Sequence, residues 1–457
     1  MSFKNFVMNL PEVKGPGDKH LSFGTRIKWT LIMLISFFIL SNIPLYGLSA
    51  NALSQFEYLS IILGANFGSL MSLGIGPIVT ASIILQLLIG SKILNIDVKS
   101  KDGKKFYQGL QKLTAIFFTI FEASIFVLMR GLESAPGLEF TLIFQLFLGG
   151  LMVILMDEVI QKYGFGSGIS LFIVGGVAWQ LIIRAFNFIG PDKSIQAIGK
   201  VHVFFVSLFN GNTTEAFIAL SAILATVFIF LLVVYIQSIK VEIPLSFGRI
   251  RGMSIKWPLS FLYTSNIPVI LTAALHANFQ LFATLAQNTL GKGTFLGTFN
   301  SGGVATSGMA YWIAPPHEGI INAIITNSFS ATMMLQSLFY MLFMIAGSTM
   351  FAIFWMKTSG QDAETQSKQL AASGLQIPGF RRDPRVIESI LERYILPLTI
   401  MGGAAVGLLA SFADITGALV RGTGILLAVM ILYKMYEDIS QQYAMDSNPL
   451  AKKMIAS

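Results

Sequence analysis

Ten apolar runs decide what this chain can fold into. They are Trp29–Leu48, Pro77–Ile93, Leu113–Leu132, Phe140–Val159, Ile169–Phe188, Ala216–Ile236, Leu259–Leu281, Asn327–Trp355, Tyr394–Phe412 and Thr423–Tyr436, the second and tenth being short. A helix that crosses a bilayer needs about 20 such residues. In lipid only a helix or a closed barrel satisfies its own backbone polar groups. Only 12% of residues are charged and 54% are hydrophobic, against about 25% charged in a soluble domain. The expected fold class is an all-α polytopic membrane protein with ten transmembrane helices. There is no cysteine, and His20, His202, His276 and His317 are too far apart to suggest a metal site.

An even number of spans puts both termini on one side. Arg130, Arg184, Lys193, Lys200, Lys292 and Arg421 fall in one set of loops, and every other one of the 31 Lys and Arg falls on the opposite side. The positive-inside rule makes that richer side the cytosol. The net charge of +8 is therefore largely a topology signal. The first run resembles a signal peptide near Ala50-Asn51-Ala52, but the long Lys- and Pro-containing segment before it favours a retained span. The expected division is a cytosolic segment 1–28, a first half 29–188, an external linker 189–215, a second half 216–442 and a cytosolic tail 443–457. Five spans per half make the halves opposite in orientation, the arithmetic of an inverted repeat.

Within this frame, Gly74–Gly90 is apolar yet opens with Gly74-Ile-Gly-Pro77. Proline fits only the first turn of a helix, so a break at Ile75–Pro77 and a helix over Ile78–Leu88 are expected. The stretch reads equally well as a kinked packing helix. Before it, Ser54–Leu73 is apolar but broken by Gly64 and Gly68. Its helix, Gln55–Leu63, is too short to span and must lie on the surface or dip inward. Two cytosolic loops stand out, Lys240–Lys256 with Arg249 and Arg251, and Lys357–Arg393 with Arg381. Long loops rich in turn residues and charge suit partner docking as well as plain connection. Glu122 is the clear ionisable residue within a span, while Asp157 and Glu158 are placed near a cytosolic end with water close by. No nucleophile–base constellation, phosphate loop or carboxylate pair suited to hydrolysis is visible, so neither an enzyme nor a cofactor is expected. Asn212-Thr-Thr214 is a weak glycosylation pattern.

Five further stretches carry a family resemblance: Gly164-Phe-Gly-Ser-Gly-Ile-Ser170, Val241-Glu-Ile-Pro-Leu245, Asn266-Ile-Pro-Val-Ile-Leu271, Ile377-Pro-Gly-Phe-Arg381 and Gly422-Thr-Gly-Ile-Leu-Leu427. With Gly74–Val79 they resemble the SecY family of protein-conducting channels, in its archaeal and eukaryotic wording, over nearly the whole chain. The resemblance implies two inverted five-helix halves that part between the second and seventh spans. It implies a re-entrant plug at about 55–67, including Gln55, Phe56, Leu59, Ile62 and Leu63. Ile75, Val79, Ile169, Ile173, Ile270 and Leu427 match the family's hydrophobic pore ring. Thr80 and Asn278 match its polar gate positions, and Gln86 and Glu122 are grouped with them. Arg249, Arg251 and Arg381 would meet a ribosome or a signal-recognition-particle receptor. Two small subunits, SecE (gamma) and beta, are implied as partners, with nascent secretory and membrane proteins as cargo and no direct nucleotide binding. The implied location is the cell membrane, with both termini cytosolic.

A secondary transporter also uses inverted repeats and broken helices, but it needs ion-coupling carboxylates, and Glu122 alone is thin support. A membrane scaffold would have no pore. Taken singly, each of the six aliphatic ring residues is ordinary core. Only their place in the family's motifs singles them out.

Overall fold

The computed structural model describes residues 3–17, 21–51, 66–90, 93–94, 96, 100–188, 198–247, 254–264, 267–290, 293–300, 303–317, 319–372, 375–376 and 384–447. Each of the ten apolar runs coincides with a helix. After α1 (Phe3–Met8) come the five spans of the first half: α2 (Phe23–Ser41), α3 (Gly76–Gly90), α4 (Lys101–Leu128), α5 (Glu139–Tyr163) and α6 (Gly168–Phe186). A short helix, α7 (Lys200–Phe209), lies in the linker. The second half holds the spans α8 (Thr213–Ser238), α9 (Ile267–Leu290), α12 (Ala331–Thr358), α14 (Pro384–Thr416) and α15 (Gly422–Ser447). Between them lie the short helices α10 (Met309–Trp312), α11 (Ile320–Ile325) and α13 (Ala363–Ala372). Eight of the spans are long and apolar enough to cross a membrane. Helix α3 is shorter, at 15 residues, and the apolar part of α15 runs into Lys434, Glu437 and Asp438.

Helices α4, α14 and α15 extend beyond their apolar runs, to Lys101, Pro384 and Ser447, and at two other places the run overshoots its helix. Helix α2 ends at Ser41 rather than Leu48. Pro44 disfavours helical geometry at Ile43, and the Asn42 side chain donates to the Phe38 carbonyl at 2.8 Å, closing the last turn. The chain then forms β1 (Leu48–Asn51), which pairs antiparallel with β2 (Leu132–Ser134). Helix α9 starts at Ile267 rather than Leu259, because the residues up to Ser260 are strand.

That strand belongs to a small sheet outside the spans. β3 (Lys240–Phe247) and β4 (Ser254–Ser260) form a hairpin in the register Val241↔Leu259 and Ile243↔Trp257. Between α9 and α12, β5 (Thr298–Phe299) pairs with β6 (Ala305–Ser307). β7 (Leu375–Gln376) joins the hairpin through Ser246↔Gln376. The two charged loops singled out in the sequence are thus one unit. Ile243 and Leu259 are buried with Met356, Leu370, Ile387 and Leu391, which seats the unit on α12, α13 and α14.

The N-terminal segment is also fixed. The Val13 N–H donates to Glu158 at 2.9 Å, and the Tyr163 hydroxyl donates to the Lys14 carbonyl at 2.7 Å. Lys112 reaches both Pro11 O and Glu158. Glu12 accepts from Lys162 at 3.0 Å, and that hydrogen bond holds its carboxyl below the usual carboxylate range.

Outward helix faces carry exposed apolar side chains such as Ile35, Ile39, Phe117, Phe228, Leu231 and Leu338. Exposed patches of this size in a protein rich in spans mark the lipid contact. Inside, close approach is set by small residues, as is common between membrane helices. A Cβ on Gly149 of α5 would lie 1.8 Å from the Leu70 carbonyl oxygen, whereas one on Gly176 of α6 would meet nothing within 4 Å. Gly149→Ala is expected to cost about 1–3 kcal/mol through overpacking, read as a lower thermal midpoint of the detergent-solubilised protein. Gly176→Ala should leave the midpoint unchanged. Equal midpoints for the two variants would contradict this packing.

Candidate functional site

The break before α3 lies at Gly74, just ahead of the expected position. Gly74 has φ +52°, in the left-handed region that glycine adopts without strain. Helix α3 starts at Gly76, and Pro77 occupies its first turn, where no N–H is needed. The Ile75 carbonyl accepts from the N–H groups of Ile78 and Val79, each at 3.1 Å. Ile75 therefore stands at the turn into the helix, one helical turn from Val79.

Ile75, Val79, Ile173, Ile270 and Leu427 are buried in one hydrophobic cluster, and Ile169 packs against it partly buried. They come from both halves: α3 and its entry turn, α6, α9 and α15. The six residues named from the sequence thus lie in, or against, one apolar core that both halves build. Helix α3 packs against α4 of its own half and against α9 and α12 of the other.

Beside this cluster a polar chain crosses the seam. Asn278 Nδ2 on α9 donates to Thr80 Oγ1 on α3 at 3.0 Å. The Thr80 hydroxyl then donates to Glu122 Oε1 on α4 at 2.9 Å. A hydroxyl has one donor and two acceptor lone pairs, so both bonds are satisfied together. Glu122 is buried and spends its carboxyl on this neighbour, as a carboxyl satisfied within the bundle should. Gln86 does not join the chain. It lies six residues beyond Thr80, turned to another face of α3, and its buried Oε1 has no partner among the described residues.

Gln55, Phe56, Leu59, Ile62 and Leu63 lie outside the described residues, as do Arg249, Arg251 and Arg381. The described flanks of the first group are tied together, because Asn51 Nδ2 donates to the Phe67 carbonyl at 2.9 Å. Leu70 N–H donates to Ile43 O at 2.9 Å, and Asn66 Nδ2 to Ser41 O at 2.6 Å.

Asp157 departs from its expected environment. It is buried rather than wet, accepting from Ile169 N–H at 3.2 Å and Gln161 Nε2 at 2.8 Å. Asp414 was not singled out in the sequence because it lies just past the expected end of the ninth span. It too is buried, and accepts from Thr423 N–H at 2.9 Å and Tyr340 Oη at 2.5 Å. Buried His276 sits beside Tyr340 with ring centroids 5.7 Å apart. Among the described residues no group of His, Asp and Glu is placed to hold a metal.

The SecY family model matches residues 69–436, and a model for the plug domain of Sec61p matches residues 35–68. The chain belongs to the SecY family. The protein translocase subunit SecY of Methanothermobacter thermautotrophicus is 46% identical over 98% of this chain and 96% of its own. That of Methanocaldococcus jannaschii is 40% identical over 98% of this chain and 97% of its own. A solved structure described as "The structure of a protein conducting channel" superposes with a TM-score of 0.82 at 38% identity, covering 97% of this chain and 98% of that one. Membership agrees with the spans, the inverted halves and the broken second span.

The seam contact has a direct check. The chain has no cysteine, so the pair Thr80→Cys with Asn278→Cys reports this contact alone. Mild oxidation should join the two positions in the resting protein. Thr80→Cys paired with lipid-facing Phe228→Cys should stay unlinked. Two reactive but unlinked thiols at 80 and 278 would contradict the α3–α9 contact.

Proposed function

We propose that this chain is the central subunit of a protein-conducting channel, which passes unfolded polypeptide across the membrane and releases apolar segments sideways into lipid. What supports this reading is that six branched aliphatic residues contributed by both halves lie in, or against, one shared apolar core. Branched aliphatic side chains can close loosely around an extended chain of any sequence, because they make no hydrogen bonds to it. Empty, such a constriction blocks ions by dewetting.

Sideways release follows from the physics of the seam. In lipid there is no hydrophobic driving force between helices, and a polar contact between them is worth about 0.6 kcal/mol. Parting α3 from α9 breaks the Asn278–Thr80 hydrogen bond and exchanges apolar packing for lipid or for an apolar segment of cargo. Polar cargo gains nothing there and continues through the pore. Thr80, Glu122 and Asn278 would set how apolar a segment must be to leave.

Gln55–Leu63 serves as the plug in this reading, and the tied flanks at Asn51 and Phe67 would return it to one place. Arg249, Arg251 and Arg381 form the cytosolic contact. The pairing of β3 with β7 supports a shared surface, since it joins the loops that carry them. A Sec61 channel that is 38% identical is described in a canine ribosome–channel complex, which supports a ribosome as one partner. A signal-recognition-particle receptor is the other docking partner proposed there. The basic loops support cytosolic termini in the cell membrane. SecE (gamma) and beta complete the assembly, and the driving force comes from the docked partner.

Reconstitution into liposomes with the two small subunits tests the reading. Ribosome-bound secretory chains should become protected from external protease, and an apolar segment should become extractable only with the lipid. Oxidising the 80–278 cysteine pair should abolish lipid partitioning, and reduction should restore it. A protein that protects no chain in either state, or that partitions segments equally well when locked, would overturn the proposal.

A further inference from the structure

Asp157 and Asp414 stand in the same relation to the pore ring in the two halves. Each is carried by one span and caps the N-terminus of the next. Asp157 on α5 accepts from the N–H of Ile169 in the first turn of α6, twelve residues on. Asp414 on α14 accepts from the N–H of Thr423 in the first turn of α15, nine residues on, and from the Thr423 hydroxyl. Each capped residue stands four positions before a ring residue, Ile169 before Ile173 and Thr423 before Leu427. That spacing puts the capped residue and the ring residue on one helix face.

The starts of the two helices share a wording, Gly166-Ser-Gly-Ile169 across the entry to α6 and Gly422-Thr-Gly-Ile425 in the first turn of α15. In both, a glycine is pressed against the capping helix. A Cβ on Gly168 would lie 2.7 Å from Asp157 Cα, and one on Gly422 would lie 2.2 Å from the Ala413 carbonyl carbon. The pairs α5–α6 and α14–α15 are the fourth and fifth spans of their halves, so inversion places the two caps at opposite membrane faces. Each carboxylate lines a cavity. Asp157 faces one of about 220 Å³ with Glu158, Gln108, Gln111 and Lys112. Asp414 faces one of about 510 Å³ with Arg421, Gln280 and Gln336.

An ordinary N-cap residue belongs to the helix it caps and moves with it. A carboxylate on the neighbouring span instead ties that helix to its neighbour in height and rotation. Removing the acceptor leaves buried N–H and O–H donors without a partner, which is costly in a bilayer. We propose that Asp157 and Asp414 are an inversion-related pair of positioning residues that hold α6 and α15 so that Ile173 and Leu427 close the ring. This rests on the channel reading above.

The test uses the full chain with its small subunits in liposomes and reads two quantities: ion conductance of the empty channel, and the hydrophobicity at which a cargo segment partitions into lipid. Asp157→Leu and Asp414→Leu, which remove the acceptor at similar volume, should each raise empty-channel conductance roughly tenfold, the population shift expected on losing one charge-assisted bond, and should lower the partition threshold. Thr423→Val should do the same, and Thr423→Ser should restore wild-type behaviour. Asp438→Asn, half-buried on α15 beside Lys434 and away from both caps, should change neither quantity. Thr423→Val is nearly isosteric, so it keeps the test open should an Asp variant fail to fold. A merely structural role would lower the thermal midpoint and leave the threshold where it was. Folded variants with wild-type conductance and threshold would overturn the latch while leaving the channel reading intact. A wild type that partitions no segment would overturn the channel reading and the latch with it.

Discussion

The rest of the structure depends on an apolar seam that is held only weakly. Buried in a soluble protein, the cluster of Ile75, Val79, Ile173, Ile270 and Leu427 would be sealed by the hydrophobic effect. In lipid that force is absent between helices, because the surroundings are as apolar as the contact. What remains is shape complementarity and the chain Asn278–Thr80–Glu122. A seam of this kind is separable without a large input. Water meeting it from either face finds no hydrogen-bond partner in the aliphatic layer.

A seam that opens easily needs rigid walls. Beyond the Asn278–Thr80–Glu122 chain, two further buried carboxylates hold helix starts. Asp157 and Asp414 are buried, and each accepts from more than one described donor. The N-terminal segment is clasped to α5 through Glu158, Lys162 and Tyr163. Lys240 pairs with Glu437 at 3.0 Å and joins the β3–β4 sheet to α15. That hydrogen bond raises the Lys240 ammonium pKa above its ordinary value. An exposed pair of this kind adds little stability, so its effect is on orientation.

Much of this was legible in the sequence, and the reasons are physical. Span positions follow from hydropathy because lipid forbids unsatisfied backbone. Gly74 and Pro77 announced the broken helix through their own backbone restrictions. The ring residues were legible only through the family's motifs, since an isoleucine facing a pore and one facing a neighbouring helix look alike in sequence. Gln86 was grouped with the gate by its polarity, but helical rotation turns it off the Thr80 face. Asp414 was missed because a carboxylate just past an apolar run reads as a solvated loop residue, and only the fold brings Tyr340 and Thr423 to it. The third strand of the β3–β4 sheet was hidden because Leu375–Gln376 pairs with Ser246–Phe247 across more than a hundred residues.

The central claim is that six aliphatic side chains form a dry closure between the halves. Planar-bilayer conductance of the empty channel tests it most directly, using Val79→Ser, Ile173→Ser and Ile270→Ser together in a chain lacking Gln55–Leu63. Three hydroxyls at one level give water hydrogen-bond partners, so the account predicts a steady ion leak from a folded protein. It also predicts much less leak from each single substitution with residues 55–63 retained. A folded triple variant that remains silent without those residues would make the six residues ordinary core and contradict the account.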